Sequence, residues 1–283
     1  MHYTIQQTLQ QAVPVLQQAG IESPRLEADI LLTQVLGVQR SYLIAWSNRL
    51  LSDTEYQYFQ VLITRRCAGE PIAYLTGHRE FWSLDLLVSP AVLIPRPATE
   101  TLVEQAIEHL NHLSNPVLAD LGTGSGAIAI ALAKECPAAL IVAIDCQLDA
   151  ICIAQANVQR LKINNVKLLC ASWLNAIVPK SMDMLVSNPP YIAETDPHLT
   201  QGDVRFEPRT ALTSGNEGLD DIRQLIQQAP LYLKNAGWLL LEHGYTQGEA
   251  VRILMQQQGF KHVSTIHDLE GQERVTIGQW FND

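Results

Sequence analysis

Asn188-Pro189-Pro190-Tyr191 is a tetrapeptide whose residue types suit a narrow chemistry. It follows the apolar run Met182-Asp183-Met184-Leu185-Val186-Ser187, which reads as a buried strand. Two consecutive prolines fix φ and disfavour helix at the residues before them, so the chain leaves that strand rigid and extended. A fixed Pro189 carbonyl beside the Asn188 side-chain oxygen sets two acceptors at one point. That pair suits a planar –NH2 group with two hydrogens to give. Tyr191 adds a flat ring against which an amide or a base can lie. A Pro-rich turn with no ligand is the plain alternative, and Pro-Pro alone does not separate the two.

Upstream lies Asp120-Leu121-Gly122-Thr123-Gly124-Ser125-Gly126, running into Ala127-Ile128-Ala129-Ile130-Ala131-Leu132-Ala133. Val117-Leu118-Ala119 reads as a strand and the Ala/Ile/Leu run as a buried helix. The glycines then occupy a strand-to-helix turn, where missing side chains let a ligand touch backbone N–H groups at the helix N-terminus. The spacing is G-x-G-x-G, not the G-x-G-x-x-G of the dinucleotide fingerprint. The next apolar run, Ala139 to Ile144, ends in Asp145. A carboxylate at a strand tip can accept both hydroxyls of a ribose, which indicates a nucleoside without identifying it.

Together, a G-x-G-x-G turn after the first strand, an acid after the second and Asn-Pro-Pro-Tyr after the fourth resemble class I S-adenosylmethionine methyltransferases acting on –NH2 groups. Leu93-Ile94-Pro95-Arg96-Pro97, Gly202-Asp203-Val204-Arg205-Phe206-Glu207-Pro208, Leu240-Leu241-Glu242-His243-Gly244 and Glu273-Arg274-Val275 extend the likeness. In order along nearly the whole chain, they resemble the PrmC/HemK family of peptide chain release factor glutamine methyltransferases. The resemblance implies an α/β fold of the class I, Rossmann-like kind, with a mostly parallel seven-stranded sheet, a small N-terminal helical bundle and a β-hairpin linker. It implies S-adenosylmethionine as cofactor, S-adenosylhomocysteine as product and class 1 release factors as partners, the target being the glutamine of a Gly-Gly-Gln loop.

The residues carried over are Gly122, Thr123, Gly124, Ser125 and Gly126 against the methionine portion and Asp145 on the ribose. Trp173 packs on the adenine, and Asn188 borders the cofactor. Asn188, Pro189, Pro190 and Tyr191 form the catalytic and substrate-binding turn. Two positions depart from the family pattern: Ala98 stands where an acid usually follows Pro-Arg-Pro, and Ser172 where an acid often precedes Trp173. The alternative reading is an adenine-N6 nucleic-acid methyltransferase, since adenine offers the same planar –NH2 group. A chain that keeps the fold but only binds is disfavoured by the intact glycines, Asp145 and the complete tetrapeptide.

Charge weighs against the nucleic-acid reading. A net charge of −10, from 19 Lys and Arg against 29 Asp and Glu, does not suit gripping a phosphate backbone. Arg65-Arg66 and Arg205 with Arg209 are the notable basic groupings, and ion pairs or a solvated face explain them. A hydrophobic fraction of 47% with 17% charged residues describes a soluble globular protein. No apolar run approaches the roughly 20 residues that span a bilayer, and the first residues lack signal-peptide character. Five cysteines without a C-x-x-C pair point to small core hydrophobes in a reducing cytoplasm. No metal, membrane or direct nucleic-acid partner is expected.

The elements that must position these residues fall into three parts. Residues 1–75 read as a helical, substrate-recognising domain. Ser23-Pro24 predicts a capped helix start, with a stripe of Ala28, Leu31, Leu32 and Val35 ending at Gly37. Ser52-Asp53-Thr54-Glu55 predicts a capping box for a second helix continued by Phe59, Leu62 and Ile63. The glutamines near the N-terminus read as a solvated helix face. Residues 76–94 read as a β-hairpin linker around Asp85. Residues 95–283 alternate helices with short apolar strands, as in a parallel sheet covered on both faces. The last strand is expected to enter antiparallel. The loop from Ile192 to Asp220 is long enough to suggest a lid, with Phe206-Glu207-Pro208 and Ala211-Leu212 walling an inserted peptide.

An amide nitrogen is a poor nucleophile, so the protein's task is placement, which can supply about 7–11 kcal/mol. Acceptors on the amide hydrogens also stabilise charge growing on nitrogen. No general base is demanded, and His243 is read as structural.

Overall fold

The computed structural model describes residues 3–282. Backbone contacts divide the chain into two units. One holds the residues up to His78 together with His198–Phe206; the other holds Arg79–Pro197 and the chain from Glu207 onward.

The first unit is built from α1 (Ile5–Gln18), α2 (Pro24–Leu36), α3 (Arg40–Ala45), α4 (Asp53–Cys67) and α5 (Ile72–Thr76). Leu9, Leu16, Leu31, Leu32, Phe59 and Leu62 form its core. The expected capping box starts α4: Glu55 N donates to Ser52 Oγ (3.2 Å) and Ser52 N to Glu55 Oε2 (2.8 Å). Thr4 and Gln7 close a second such box on α1, so Gln7 is a cap as well as part of the exposed glutamine face. Ser23 does not cap α2. Its ψ of 60° turns the hydroxyl away from the helix N–H groups, and Pro24 alone sets the start. Gly37 ends α2 in the left-handed conformation (φ 63°). The basic pair is consumed by acids: Arg66 Nε sits 2.5 Å from Glu27 and Arg65 Nη2 2.5 Å from Glu70. Arg205 Nη2 donates to the Ala68 carbonyl (2.7 Å).

The second unit opens with a hairpin, β1 (His78–Phe81) and β2 (Leu84–Leu87). Expected as a linker, the hairpin buries Phe81, Leu84 and Leu86 in the unit's main core. Its two-residue turn is Trp82-Ser83, with φ of 53° and 56°, conformations usually left to Asn-Gly. Tertiary bonds offset that strain. Trp82 N donates to Glu100 Oε1 (2.9 Å), and the indole N–H to Glu135 Oε1 (2.9 Å).

Then follow α6 (Glu100–Leu110), β3 (Val117–Leu121), α7 (Ala127–Glu135), β4 (Leu140–Asp145), α8 (Leu148–Arg160), β5 (Val166–Cys170) and β6 (Met182–Ser187). After them come α9 (Asp220–Tyr232), β7 (Leu233–Glu242), α10 (Gly248–Gln258), β8 (Lys261–His267) and β9 (Glu273–Trp280). The sheet order is β5-β4-β3-β6-β7-β9-β8. Strands β3 to β7 are parallel, and β9 enters antiparallel between β7 and β8. Alternate residues feed opposite faces: Leu118 and Met184 join α6 and α7, while Ala119 and Leu185 join α9 and α10. The chain therefore reverses its direction of travel across the sheet between β3 and β6, where a crevice opens at the strand C-termini.

The cysteines are not core residues. Cys67 and Cys136 are half-buried, and Cys146, Cys152 and Cys170 are exposed, because the latter three fall at strand tips or on the outward side of α8.

Asn157 of α8 ties the hairpin to the glycine turn. Fully buried, it takes the Leu87 N–H on Oδ1 (2.7 Å) and donates through Nδ2 to the carbonyls of Leu87 and Ser125 (2.9 Å each). Asn157→Ala would orphan those backbone groups at about 1–3 kcal/mol for each one left unsatisfied. A urea midpoint lowered accordingly is the expected result; an unchanged midpoint would mean the tie is immaterial.

Candidate functional site

Parallel pairing sets Leu121 opposite Ser187, and the Ser187 hydroxyl donates to the Leu121 carbonyl (2.6 Å) in a fully buried position. The glycine turn beginning at Gly122 and the turn beginning at Asn188 therefore leave the sheet side by side. One cavity lies over them, walled by Gly122, Thr123, Gly124, Ser125, Asp145, Trp173, Asn188 and Pro190. Pro95, Thr99, Ser172, Pro208, Thr210 and Ala211 complete much of its rim.

The glycine turn spends most of its donors on the end of the neighbouring strand β4. The Gly122 and Thr123 N–H groups both donate to the Ile144 carbonyl (2.8 Å each), Gly126 N to Thr123 O (2.8 Å) and Gly124 N to Asp145 Oδ2 (2.9 Å). Sequence reasoning expected these N–H groups to face a ligand; their main use is to hold the bend. What the glycines provide is conformation and closeness. Gly122, Gly124 and Gly126 have φ of 76°, 55° and 83°, and a Cβ on Gly122 would stand 3.4 Å from the Trp173 ring. Gly126 sits behind the cavity as the N-cap of α7, packed close to Ala154.

Asp145, at the tip of β4, is half-exposed. Its Oδ2 accepts from Gly124 N and its Oδ1 from Gln147 N (2.9 Å each). Each carboxylate oxygen keeps a further acceptor site, enough for a vicinal diol. Trp173 follows β5, held with φ of 46°, and presents its ring beside Gly122. Bare glycine backbone, a diol acceptor and an indole face on one wall suit a nucleoside with a flat base.

The members of the tetrapeptide are placed differently. Asn188 and Pro190 line the cavity, and Pro189 is buried. Tyr191 does not line the cavity. Its ring packs against the core beneath α9 and α10, and its hydroxyl donates to Glu242 Oε1 (3.3 Å). Burial, with Glu242 second, raises the Tyr191 hydroxyl well above its usual pKa, so it stays protonated. The turn is braced from behind. The Tyr191 carbonyl accepts from Gln247 Nε2 (3.0 Å), and a Cβ on Gly218 would come within 2.2 Å of that carbonyl oxygen.

Several residues carry weight that sequence reasoning did not assign. Asn188 Nδ2 donates to Thr99 Oγ1 (3.2 Å), which leaves Oδ1 as the acceptor that Asn188 can offer the cavity. The buried Glu242 takes the Tyr191 hydroxyl on Oε1, while its Oε2 has no hydrogen-bond partner among the described residues. The Glu207 side chain is fully buried, paired with Arg96 and accepting from Ile94 N (3.4 Å), so the Leu93–Pro97 segment is anchored to the rim. Of the expected lid residues, Pro208 and Ala211 reach the cavity wall, whereas Leu212 is buried in the loop's own packing. The available signal was an acid at the end of an apolar run, a pattern shared by Asp145 and Glu242. His243 is fully buried between the Gly244 carbonyl (2.9 Å from Nδ1) and the Thr276 hydroxyl (2.8 Å from Nε2), a structural position.

Comparison with known proteins gives concordant matches. A family model described as the PrmC N-terminal domain matches residues 7–77, and one described as the methyltransferase small domain matches residues 97–206. The release factor glutamine methyltransferase of Escherichia coli (strain K12) is 50% identical over 276 residues, covering 98% of this chain and 99% of its own. That of Aliivibrio fischeri is 46% identical over 284 residues, covering 100% of both chains. The crystal structure of a methyltransferase from Pyrococcus furiosus, 18% identical, has a TM-score of 0.52 and is matched over 79% of this chain and 98% of its own, a likeness of fold.

Two acids, Asp120 and Glu242, are buried at the ends of β3 and β7. Asp120 Oδ2 accepts from the Thr123 hydroxyl (2.6 Å) and Ala129 N (3.1 Å), while Oδ1 has no hydrogen-bond partner among the described residues. Burial pushes the carboxyls of Asp120 and Glu242 each up to about 7. Between the ordinary carboxylate range and about 7, the folded protein then holds protons that the unfolded chain has released. These groups make stability fall as pH rises through that window. Asp120→Asn is expected to flatten the fall between about pH 4 and 7 in urea titrations; an identical pH slope in the variant would refute it.

Proposed function

The chain belongs to the release factor glutamine methyltransferase family, and from that premise we propose its reaction in residue terms. It transfers a methyl group from S-adenosylmethionine to the side-chain amide nitrogen of the glutamine in the Gly-Gly-Gln motif of class 1 peptide chain release factors. The observation that carries this reading is the Ser187–Leu121 bond, which keeps the Asn188 turn and the glycine turn on one cavity.

The residues present suit the cofactor. Asp145 has acceptor capacity for the ribose hydroxyls, Trp173 has a ring face for the adenine, and Gly122 to Gly126 leave room against backbone for the methionine portion. Ser172, on the same wall and exposed, can exchange hydrogen bonds with the base but brings no charge. Bound S-adenosylmethionine supplies a methyl group on a positively charged sulfur, a leaving group good enough that no covalent enzyme intermediate is required.

The chain's own residues do the placing. The Asn188 Oδ1 and the Pro189 carbonyl accept the two hydrogens of the glutamine amide and fix its plane. Both acceptors strengthen as positive charge develops on nitrogen, so they favour the transition state over the bound substrate. Pro190 stiffens the turn, and Tyr191 anchors it from the protein side. Rigidity matters here because misplacement of about 1 Å can cost on the order of 100-fold in rate.

The segment through residue 75 is assigned to recognising the release factor, residues 76–94 to joining it to the catalytic domain, and residues 95–283 to catalysis. The family match over residues 7–77 supports the first assignment. Among the described residues no helix is long and apolar enough to cross a membrane. Release factors act on ribosomes, so the protein is assigned to the cytoplasm. The net charge of −10 disfavours DNA or RNA as substrate.

Incubating the protein with labelled S-adenosylmethionine and, separately, purified release factor, DNA and RNA tests the assignment. Label is expected on the release-factor glutamine alone, and transfer to adenine would overturn it. Asn188→Ala is expected to lower kcat by about 10²–10³-fold, the loss of about 2.7–4 kcal/mol typical of one charge-stabilising group. A rate within a few fold of wild type would remove Asn188 from this role.

A further inference from the structure

Gln247 caps the start of α10, its backbone fixed by bonds from its N–H to Gly244 O (2.8 Å) and from Val251 N to its carbonyl (3.0 Å). Its half-buried carboxamide meets four further backbone groups. Oε1 accepts from Gly244 N (2.8 Å), and Nε2 donates to the carbonyls of Tyr191 (3.0 Å), Glu217 (3.2 Å) and Gly218 (3.3 Å). A backbone N–H only donates and a carbonyl only accepts, so one orientation of this carboxamide satisfies all its neighbours. Its two hydrogens serve three carbonyls, and at least one is shared. The space is fitted to the contact. A Cβ on Gly244 would stand 3.0 Å from Gln247 Oε1, and one on Gly218 would stand 3.0 Å from Nε2 and 2.2 Å from the Tyr191 oxygen.

The three carbonyls belong to two segments that wall the cavity. Tyr191 closes the tetrapeptide, whereas Glu217 and Gly218 end the long loop just before α9. The return stretch of that loop supplies Pro208, Thr210 and Ala211 to the cavity wall. It runs beside the residues that follow Tyr191: Ile192 N donates to Leu212 O (2.9 Å), Ser214 N to Ile192 O (3.0 Å) and Glu194 N to Gly215 O (3.0 Å). Tyr191 is held at both ends, its hydroxyl on Glu242 Oε1 (3.3 Å) and its carbonyl on Gln247. Pro189 and Pro190 have fixed φ, so few torsions separate the Tyr191 carbonyl from the Pro189 carbonyl and Asn188. A shift at Tyr191 is passed to both acceptors, not absorbed on the way.

We propose that Gln247 is a positioning residue for methyl transfer: its carboxamide fastens the return stretch of the loop to the end of the tetrapeptide, and so fixes the acceptors of the substrate amide relative to the loop wall of the same cavity. The inference rests on the acceptor roles given to Asn188 and Pro189 above. Gln247 does not itself line the cavity, so it acts through the turn and not on the substrate.

Methylation of purified release factor, with cofactor binding measured separately by calorimetry, tests the proposal. Gln247→Met keeps the length of the side chain and loses its hydrogen bonds. It should lower kcat by about 10- to 100-fold, the scale of a misplacement approaching about 1 Å. S-adenosylmethionine should still bind at full stoichiometry, which counts the folded sites, and within about threefold of wild-type affinity, because the misplacement is on the acceptor side. A residue that only stabilised the fold would lower the urea midpoint and leave kcat per folded site unchanged. Gln247→Glu keeps an acceptor for Gly244 N but sets a carboxylate oxygen against the three carbonyls, so its kcat should fall below that of Gln247→Met. Its rate relative to wild type should rise as pH drops, because protonation restores a donor. In the Asn188→Ala background the loss from Gln247→Met should shrink, since one of the groups it positions is gone. A kcat per folded site of Gln247→Met within about threefold of wild type, or an undiminished loss in the Asn188→Ala background, would overturn the proposal while leaving the Asn188 role intact. Near-wild-type activity of Asn188→Ala alone would instead remove the premise. If Gln247→Met does not bind the cofactor at full stoichiometry, Gln247→Glu decides: a rate relative to wild type that does not change with pH overturns the proposal.

Discussion

Parallel pairing of β3 with β6 is the constraint on which the rest of the site depends. Neighbouring strands stand about 4.8 Å apart, so two loops that leave them at the same level must start within a few ångströms of each other. The register sets that level at Leu121 and Ser187, and the buried Ser187 hydroxyl on the Leu121 carbonyl stops either strand from fraying first. The bond lies where the sheet ladder ends, because Pro189 and Pro190 have no N–H with which to continue it. A short side chain is required there. Serine reaches the adjacent carbonyl without leaving the strand, and the pair fits the fully buried floor of the crevice.

The acids around the crevice show how position converts one chemical group into different tools. Asp145 is half-exposed and accepts two backbone N–H groups, which leaves acceptor capacity suited to a diol. Asp120 and Glu242 are buried, and burial outweighs the hydrogen bonds each receives. Asp120 is committed to the geometry of the bend through Thr123 and Ala129. Glu242 is committed through Oε1 to Tyr191 of the tetrapeptide, and its Oε2 has no hydrogen-bond partner among the described residues. Carboxylates deep in a fold are destabilising unless something is gained. Here burial keeps both protonated up to about 7, which lowers that cost.

Much of this was legible in the sequence because it depends on local rules. The apolar runs Val117-Leu118-Ala119, Ala139 to Ile144 before Asp145, and Met182 to Ser187 marked the strands, and glycine spacing marked the bend that follows the first. Asn-Pro-Pro-Tyr announced rigidity through proline geometry alone. The features that were not legible are those in which the tertiary structure overrides a local preference. Trp82-Ser83 adopts a turn that sequence rules reserve for Asn-Gly, because Glu100 and Glu135 hold it there. Ser23 looks like a cap and is not one, since Pro24 already sets the helix start. Tyr191 looks like a stacking surface, yet a buried acid draws its hydroxyl inward. The glycine-turn N–H groups look free, and a carbonyl from the neighbouring strand claims two of them. Thr99 gave no periodic or spacing signal at all; its contact with Asn188 joins two segments that lie far apart in the chain.

A reaction that requires no covalent intermediate asks for accuracy of placement more than for reactive side chains, and the composition of this site reflects that. Among the described residues its wall holds no histidine, and the acids on it are Asp145 and Asp221. Stiffness accumulates around the acceptor instead. Two prolines lock φ, Gly218 admits the Tyr191 carbonyl where any side chain would collide, and Gln247 holds that carbonyl from the far side. Each brace acts on backbone, which moves less than a side chain of equal burial. On the role proposed for Asn188, its carboxamide is the rotatable group on this turn, and its Nδ2 donates to the buried Thr99 hydroxyl. Rotational freedom at that bond is where an otherwise rigid site can still lose rate, so it is where a specific interaction contributes most.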